Sequence, residues 1–413
     1  MASGPDRGPA GARLVTAVCT AQVLVQIGAY FWPALLPSMI PLWKLSNSEA
    51  GWITAAFYGA YVFAVPVLVT LTDRVDAKRV YLFGVACTIA SHLLFGLYAE
   101  GFWSALVLRA LAGIGWAGTY MTGLKLLADQ VDEKLMSRAV AAHAASIGVS
   151  GALSFSCAGL LAEYHGWSAA FIVAGIGALA AWLIVAVSAP RRPPPLAASH
   201  RLFDFRPALR NRSALAYSLA YCIHTLEMNA LRGWGVAFLG YVAVSTGGAG
   251  TLLTPTFALT GLALVGTVAS VLGNEAAIRF GRRRLIAFAL LASAVVGGTL
   301  GLVGTLSYGL AVGLLVLFGF IVWLDSSSLT AGAAGTAEPA RRGAQLAVHS
   351  TLGYAGGFVG PLMVGLILDL AGGMSAVAWG AAFLAVAVLV LLALCIFLLM
   401  RPRGLAGDRG DER

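Results

Sequence analysis

Across 413 residues the chain is 59% hydrophobic and only 11% charged, where a soluble chain carries about 25% charged residues. Its mean hydropathy of +0.84 and sparse charge exclude the two or three water-coated domains that this length would otherwise suggest. The formal charge of +9 raises nucleic acid as a partner, and the placement of the basic residues decides that question.

Apolar stretches near the roughly 20 residues that cross a hydrocarbon core recur along the whole chain. In order they are Leu14 to Ile40, Gly51 to Thr72, Val80 to Leu97, Phe102 to Leu127, Ala139 to Ala162 and Trp167 to Ala189. The second set is Ala214 to Val242, Leu252 to Gly273, Leu285 to Val303, Gly309 to Thr330, Gln345 to Leu368 and Ala376 to Met400. They predict an all-α membrane protein of twelve transmembrane helices, called spans 1 to 12 below. Span 1 is too long for the roughly 7 to 15 apolar residues of a secretory signal and is expected to remain.

The longest polar break, Pro190 to Arg212, contains PRRPPP and reads as a cytoplasmic linker. It separates a six-helix bundle at 1–189 from a second at 213–413 with a short cytoplasmic tail. With the N-terminus inside, Lys44 is the single basic residue on the outer side, Arg109 and Arg232 lie within spans, and the others fall in cytoplasmic segments or at their edges. That is the positive-inside pattern; it places both termini in the cytoplasm and argues against nucleic acid. Trp43, Trp52, Tyr98, Trp103 and Trp167 stand at outer ends, where an aromatic belt belongs. The Ala-, Gly- and Arg-rich composition with short loops points to a bacterial inner membrane. All five cysteines lie inside spans, so free thiols are expected and no disulfide framework.

The halves repeat one another. The basic turn DRVDAKR after span 2 has its counterpart in IRFGRRR after span 8, and Arg74 maps to Arg279. Spans 5 and 11 align at nearly the same offset, pairing His143 with His349, Gly151 with Gly357, Gly159 with Gly365 and Glu163 with Asp369.

The first turn carries Asp73, Arg74, Lys78 and Arg79, and span 4 carries Arg109, Gly113, Gly115 and Gly118. Through these motifs the chain resembles the major facilitator superfamily over most of its length. It departs from the family turn at Val69, Asp76 and Ala77, and the second copy has Ile278 at the acidic position. The resemblance implies two pseudo-symmetric six-helix bundles rocking about a site near the bilayer midplane, as in other transporters built from repeats.

Ionisable groups at bilayer depth cost at least about 2.5 to 3.5 kcal/mol each, so each needs a partner or a use. On span 4, Arg109, Gly113, Trp116, Tyr120 and Gly123 share an arc of roughly 80°, a cavity wall with a positive charge. The alternative is a structural arginine on the backbone carbonyls of a neighbouring helix. Span 7 places Tyr217, Tyr221, His224, Glu227, Met228 and Arg232 within about 140°. Glu227 is the candidate carrier of a coupling proton; the competing reading is a permanent ion pair with Arg232 or Arg109. Five-residue spacing within one helix disfavours the Arg232 pairing. Asp325, followed by three serines in span 10, is a second proton or cation candidate, or a helix-end residue. His143 and His349, near cytoplasmic ends, are expected at an inner gate with Asp73, Arg74 and Arg279. The glycines around His349 are read as close helix packing.

Cys222, His224 and Met228 span about 160° of span 7, too wide for one metal without other helices, so no metal site is expected. No phosphate-binding loop and no nucleophile-and-base constellation is legible. The expectation is therefore no enzyme and no cofactor. It is instead a secondary transporter, working by alternating access with proton coupling, for a small anionic or zwitterionic solute. Arg109, Trp116, Tyr120, Tyr221, His224 and Arg232 would bind the solute, and Glu227 and Asp325 would couple protons. The rivals are proton-driven efflux of hydrophobic or cationic compounds and a non-transporting receptor or scaffold. The partners are the solute, the proton and the lipid bilayer.

Overall fold

The computed structural model describes residues 8–192, 206–247, 253–338, 342–405 and 408; the part of the expected linker at 193–205 lies outside them. The regular elements among the described residues are all helices. In chain order they are α1 (Gly8–Gln26), α2 (Phe31–Trp43), α3 (Asn47–Leu71), α4 (Ala77–Tyr98), α5 (Phe102–Ala117), α6 (Tyr120–Ala128) and α7 (Glu133–Ser188). They continue with α8 (Arg206–Arg210), α9 (Arg212–Ser245), α10 (Pro255–Phe280), α11 (Arg282–Val303), α12 (Tyr308–Leu324), α13 (Ser326–Gly335), α14 (Arg342–Leu370) and α15 (Ala376–Met400).

Several starts are set by side chains that accept a backbone N–H of the first turn: Asp76 for α4, Asn211 for α9, Thr254 for α10, Ser307 for α12 and Ser375 for α15. Each satisfies a donor that the helix cannot satisfy itself. Nine helical stretches among the described residues are long and apolar enough to cross a membrane. One of them, Arg138–Ser188, has 51 residues, about 76 Å at 1.5 Å per residue and far more than one crossing needs. Its backbone breaks at Gly166, with φ 85° and ψ 161°, between spans 5 and 6. Adding span 4, divided into α5 and α6, and the more polar α9 gives a count consistent with twelve. Large apolar side chains such as Phe63, Val107, Val187 and Leu399 stand exposed, as a lipid-facing surface requires.

The chain forms two compact units, one from Met1–Phe31 with Phe63–His200, the other from Trp32–Val62 with Arg201–Arg413. In the first, Leu14, Val18 and Val25 of α1, Tyr81 and Val85 of α4 and Ala178 and Val185 of α7 make the buried core. Gly84 of α4 and Gly115 and Gly118 of span 4 bring two backbones together: a Cβ on Gly118 would lie 2.7 Å from Gly84 Cα. In the second unit α9 lies against α14, where Gly356 leaves no room for a Cβ beside the Cys222 carbonyl.

The turns before α4 and α11 are held at their ends by buried polar contacts. Asp76 accepts from Lys78 N at 2.9 Å and from Arg192 N at 3.0 Å, and Lys78 Nζ donates to the Ala186 and Ala189 carbonyls at 2.7 and 2.6 Å. In the second unit Arg282 donates from Nε and Nη2 to the two carboxylate oxygens of Asp408, both at 3.0 Å. Its Nη1 donates to Asn274 at 3.2 Å and to the Ser328 carbonyl at 3.3 Å. Both side chains of the ion pair are 3% exposed. Removing one partner of such a pair strands the other without compensation, so Arg282→Ala is expected to lose about 3 to 5 kcal/mol. The check is a fall in the thermal unfolding midpoint of the detergent-purified protein, partly recovered in Arg282→Lys.

Candidate functional site

A buried polar cluster lies in the second unit, on α9, α13 and α14. Span 10 is interrupted at Asp325, which ends α12 and starts α13 with φ −93° and ψ −9°. Asp325 is 2% exposed, and its Oδ1 lies 2.8 Å from His224 Nδ1 of α9, an ion pair while the imidazole is protonated. His224 Nε2 is buried and has no hydrogen-bond partner among the described residues. One turn earlier on α9, the Tyr221 ring stacks on His224 at a centroid distance of 5.6 Å and on His349 of α14 at 4.1 Å, each with a 15° interplanar angle. His349 closes the file, with Nδ1 3.3 Å from Ser218 Oγ and Nε2 3.2 Å from Thr330 Oγ1. Asp325, His224, Tyr221, His349 and Thr330 therefore form one continuous series of contacts.

Glu227 faces elsewhere. It accepts a short hydrogen bond from Ser293 Oγ of α11 and lines a cavity of about 20 Å³ with Trp234, Phe318, Trp379 and Phe383, room for about one water. Arg232 places its guanidinium carbon 4.6 Å from the Trp323 ring centroid, a cation–π contact. The residues expected on one face of span 7 thus diverge into three environments, because the arc assigned to them is wide enough to meet several neighbouring helices.

In the first unit, span 1 is not the continuous helix that the sequence predicts; it breaks at Ile27 to Tyr30. Backbone groups freed inside a membrane must be satisfied by protein. Arg109 Nη2 donates to the Ala29 carbonyl at 3.0 Å, and Tyr30 N donates to Ser154 Oγ at 2.9 Å. Trp116 meets the Tyr30 ring edge to face at 6.3 Å, and Phe155 stacks on its other side at 5.2 Å. Arg109, 2% exposed, has the backbone-carbonyl contact that was the structural reading of it. Tyr120 stacks parallel to His143 at 6.3 Å, and a Cβ on Gly123 would lie 2.9 Å from His143 Nε2.

Asp73, Arg74 and Arg279 are exposed and join no ion pair among the described residues. The buried contacts of the two turns are made by Asp76, Lys78 and Arg282 instead. Sequence reasoning also missed Ser218, Ser293 and Thr330, single hydroxyls with no pattern to mark them, and the aromatic pair Tyr61–Tyr354, stacked at 3.7 Å.

The sequence model of the Major Facilitator Superfamily matches residues 18–257. An uncharacterized MFS-type transporter, YwoD, of Bacillus subtilis (strain 168) is 29% identical over 159 residues, 38% of this chain and 35% of that protein. Protein spinster homolog 1 of Homo sapiens is 26% identical over 243 residues, 55% of this chain and 46% of that protein; the match spans less than half the length of either relative. Among solved structures, a bacterial homolog to the human lysosomal transporter Spinster, inward-facing and unoccupied, superposes with a TM-score of 0.74 at 16% identity over 98% of both chains. The nucleoside transporter NupG gives 0.72 at 15% identity, over 94% of this chain and 99% of the other. At these identities the likeness carries the fold.

Proposed function

This chain belongs to the major facilitator superfamily, and on that premise we propose that it is a proton-coupled secondary transporter of a small anionic or zwitterionic solute, working by alternating access. The observation that carries the reading is the buried pair His224–Asp325, with both side chains at most 3% exposed. A carboxylate and an imidazole at bilayer depth are costly unless used or paired, and this pairing exists as an ion pair only while a proton is held. The break in span 10 sets the carboxyl where a change in one helix half changes its partner, the kind of discontinuous helix on which transporters build their sites. Glu227, held by Ser293, is the second proton carrier.

For the solute, Arg232 is the stronger candidate of the two arginines within the spans. Its guanidinium carbon lies over the Trp323 ring and the residue keeps partial exposure, whereas Arg109 is sealed against the Ala29 carbonyl. The names of relatives and structural neighbours, spinster and nucleoside transporters, support transport of a small solute and leave the solute class to experiment. A membrane scaffold would have little use for charges held on inward faces.

The test is thermal stability of the purified protein against small anions, zwitterions and cationic drugs at two pH values, with Arg232→Ala alongside. A pH-dependent rise with an anion or zwitterion is expected. Its loss in Arg232→Ala should weaken the apparent affinity at least about tenfold, the cost of removing one charge-assisted contact. A full response in Arg232→Ala would overturn the anion assignment, and stabilisation by cations alone would favour efflux.

A further inference from the structure

At the end of the second unit where α9 starts and α15 ends, five arginines converge on one open basin: Arg206, Arg210, Arg212, Arg401 and Arg403, with Glu338 the one acid among them. We propose that this basin binds the headgroup of an anionic phospholipid from the cytoplasmic leaflet. Positive-inside anchoring accounts for arginines near this end of the spans, but it does not require them to line one concavity, nor to be fixed there.

They are fixed. The chain after α15 folds back, with Arg403 N donating to Ser213 Oγ at 3.1 Å, Tyr217 Oη donating to the Arg403 carbonyl at 2.9 Å, and Arg282 holding Asp408. Arg212 Nη2 donates to the Leu399 carbonyl at 3.1 Å, tying the start of α9 to the end of α15. Arg401 sits in the left-handed region, φ 48° and ψ 62°, at the position after a helix that ordinarily favours glycine. The start of α9 adds the positive end of a 34-residue helix dipole, which favours a phosphate.

Guanidinium forks suit a phosphate diester, which they grip in two parallel hydrogen bonds. The apolar wall selects the lipid over a free anion. Leu398 and Leu399 line the basin and are 50% and 74% exposed, where acyl chains of a bound lipid would cover them. Basic pockets at the cytoplasmic ends of spans are the physical form that anionic headgroup recognition takes.

The experiment uses the full chain in dodecylmaltoside micelles carrying dioleoylphosphatidylglycerol, dioleoylphosphatidylcholine or inorganic phosphate, with bound lipid counted by native mass spectrometry and stability followed by thermal unfolding. Phosphatidylglycerol is expected to bind and stabilise, and phosphatidylcholine and phosphate are not. In Arg210→Gln/Arg403→Gln the affinity for phosphatidylglycerol should fall at least about tenfold, with no change in the charge-matched control Arg13→Gln/Arg284→Gln. An equal loss in the control, an equal response to inorganic phosphate, or no preference over phosphatidylcholine would each overturn the proposal. Should the glutamine pair fail to fold, Arg210→Lys/Arg403→Lys decides the matter. It keeps the charge but not the forks, so its affinity falls by more than about twofold if the forks grip the headgroup, and unchanged affinity overturns the proposal.

Discussion

Asp325→Asn is expected to abolish accumulation driven by a pH gradient in proteoliposomes while leaving solute counterflow, which needs no gradient, largely intact. The side chain is buried and its one ionic partner among the described residues is His224, 2.8 Å away. An amide of the same shape can still bond to a neutral imidazole, so the stability loss should be about 1 to 2 kcal/mol, below the roughly 3 to 5 kcal/mol of a pair broken outright. What the amide cannot do is give up or receive a proton. A purely structural Asp325 would show the opposite pattern, with gradient-driven uptake and counterflow falling together as the unfolding midpoint drops. Glu227→Gln provides the comparison, because it can keep its Ser293 contact; unchanged pH dependence there would leave Asp325 and His224 as the sole couplers.

Much of the fold is legible in the sequence because the membrane imposes it: the lengths of the spans and the basic turns between them follow from what lipid tolerates. The breaks are not legible. Span 1 reads as continuous apolar helix, yet it opens at Ile27 to Tyr30 because Arg109 and Ser154, about 80 and 124 residues away in sequence, satisfy the freed groups. Span 4 likewise divides next to Gly118, where α4 and span 4 approach through glycines. Tyr221 and His224, three residues apart, are readable as neighbours on one helix face. That His349 stacks beneath them depends on how α14 lies against α9, which periodicity cannot set. Asp76 is the instructive reversal. It departs from the family turn, yet it caps α4 and receives the chain at Arg192.

The second unit includes Trp32–Val62, and within it the end of α14 meets the start of α3. Asp369, at the end of α14, accepts from Asn47 N at 3.0 Å, Asn47 Nδ2 at 2.8 Å and Ser48 N at 2.7 Å. A carboxylate thus closes the N-terminus of α3 from another helix, where the helix dipole also favours it. On the topology proposed above these ends face outside, where the contact would act as a clasp that has to part for the outer side to open. The carboxylate is only partly buried, and solvent screening reduces what it contributes to about 1 to 3 kcal/mol.

Asp369→Ala is therefore expected to raise the population of outward-open protein by about 5- to 150-fold. The reporter is Thr54→Cys, in a chain whose five native cysteines are replaced by Ala. Thr54 is 1% exposed and lies on α3 where Gly233 and Pro361 meet. Labelling by a membrane-impermeant maleimide should accelerate in proportion, and Asp369→Asn should lie between, since an amide keeps hydrogen-bond capacity without the charge. An unaltered labelling rate with a lowered unfolding midpoint would make Asp369 a helix cap and nothing more. Acceleration would tie the opening of the outer side to one carboxylate and two backbone N–H groups, and would explain why the repeat position occupied by Glu163 in the first half carries an acid in the second half as well.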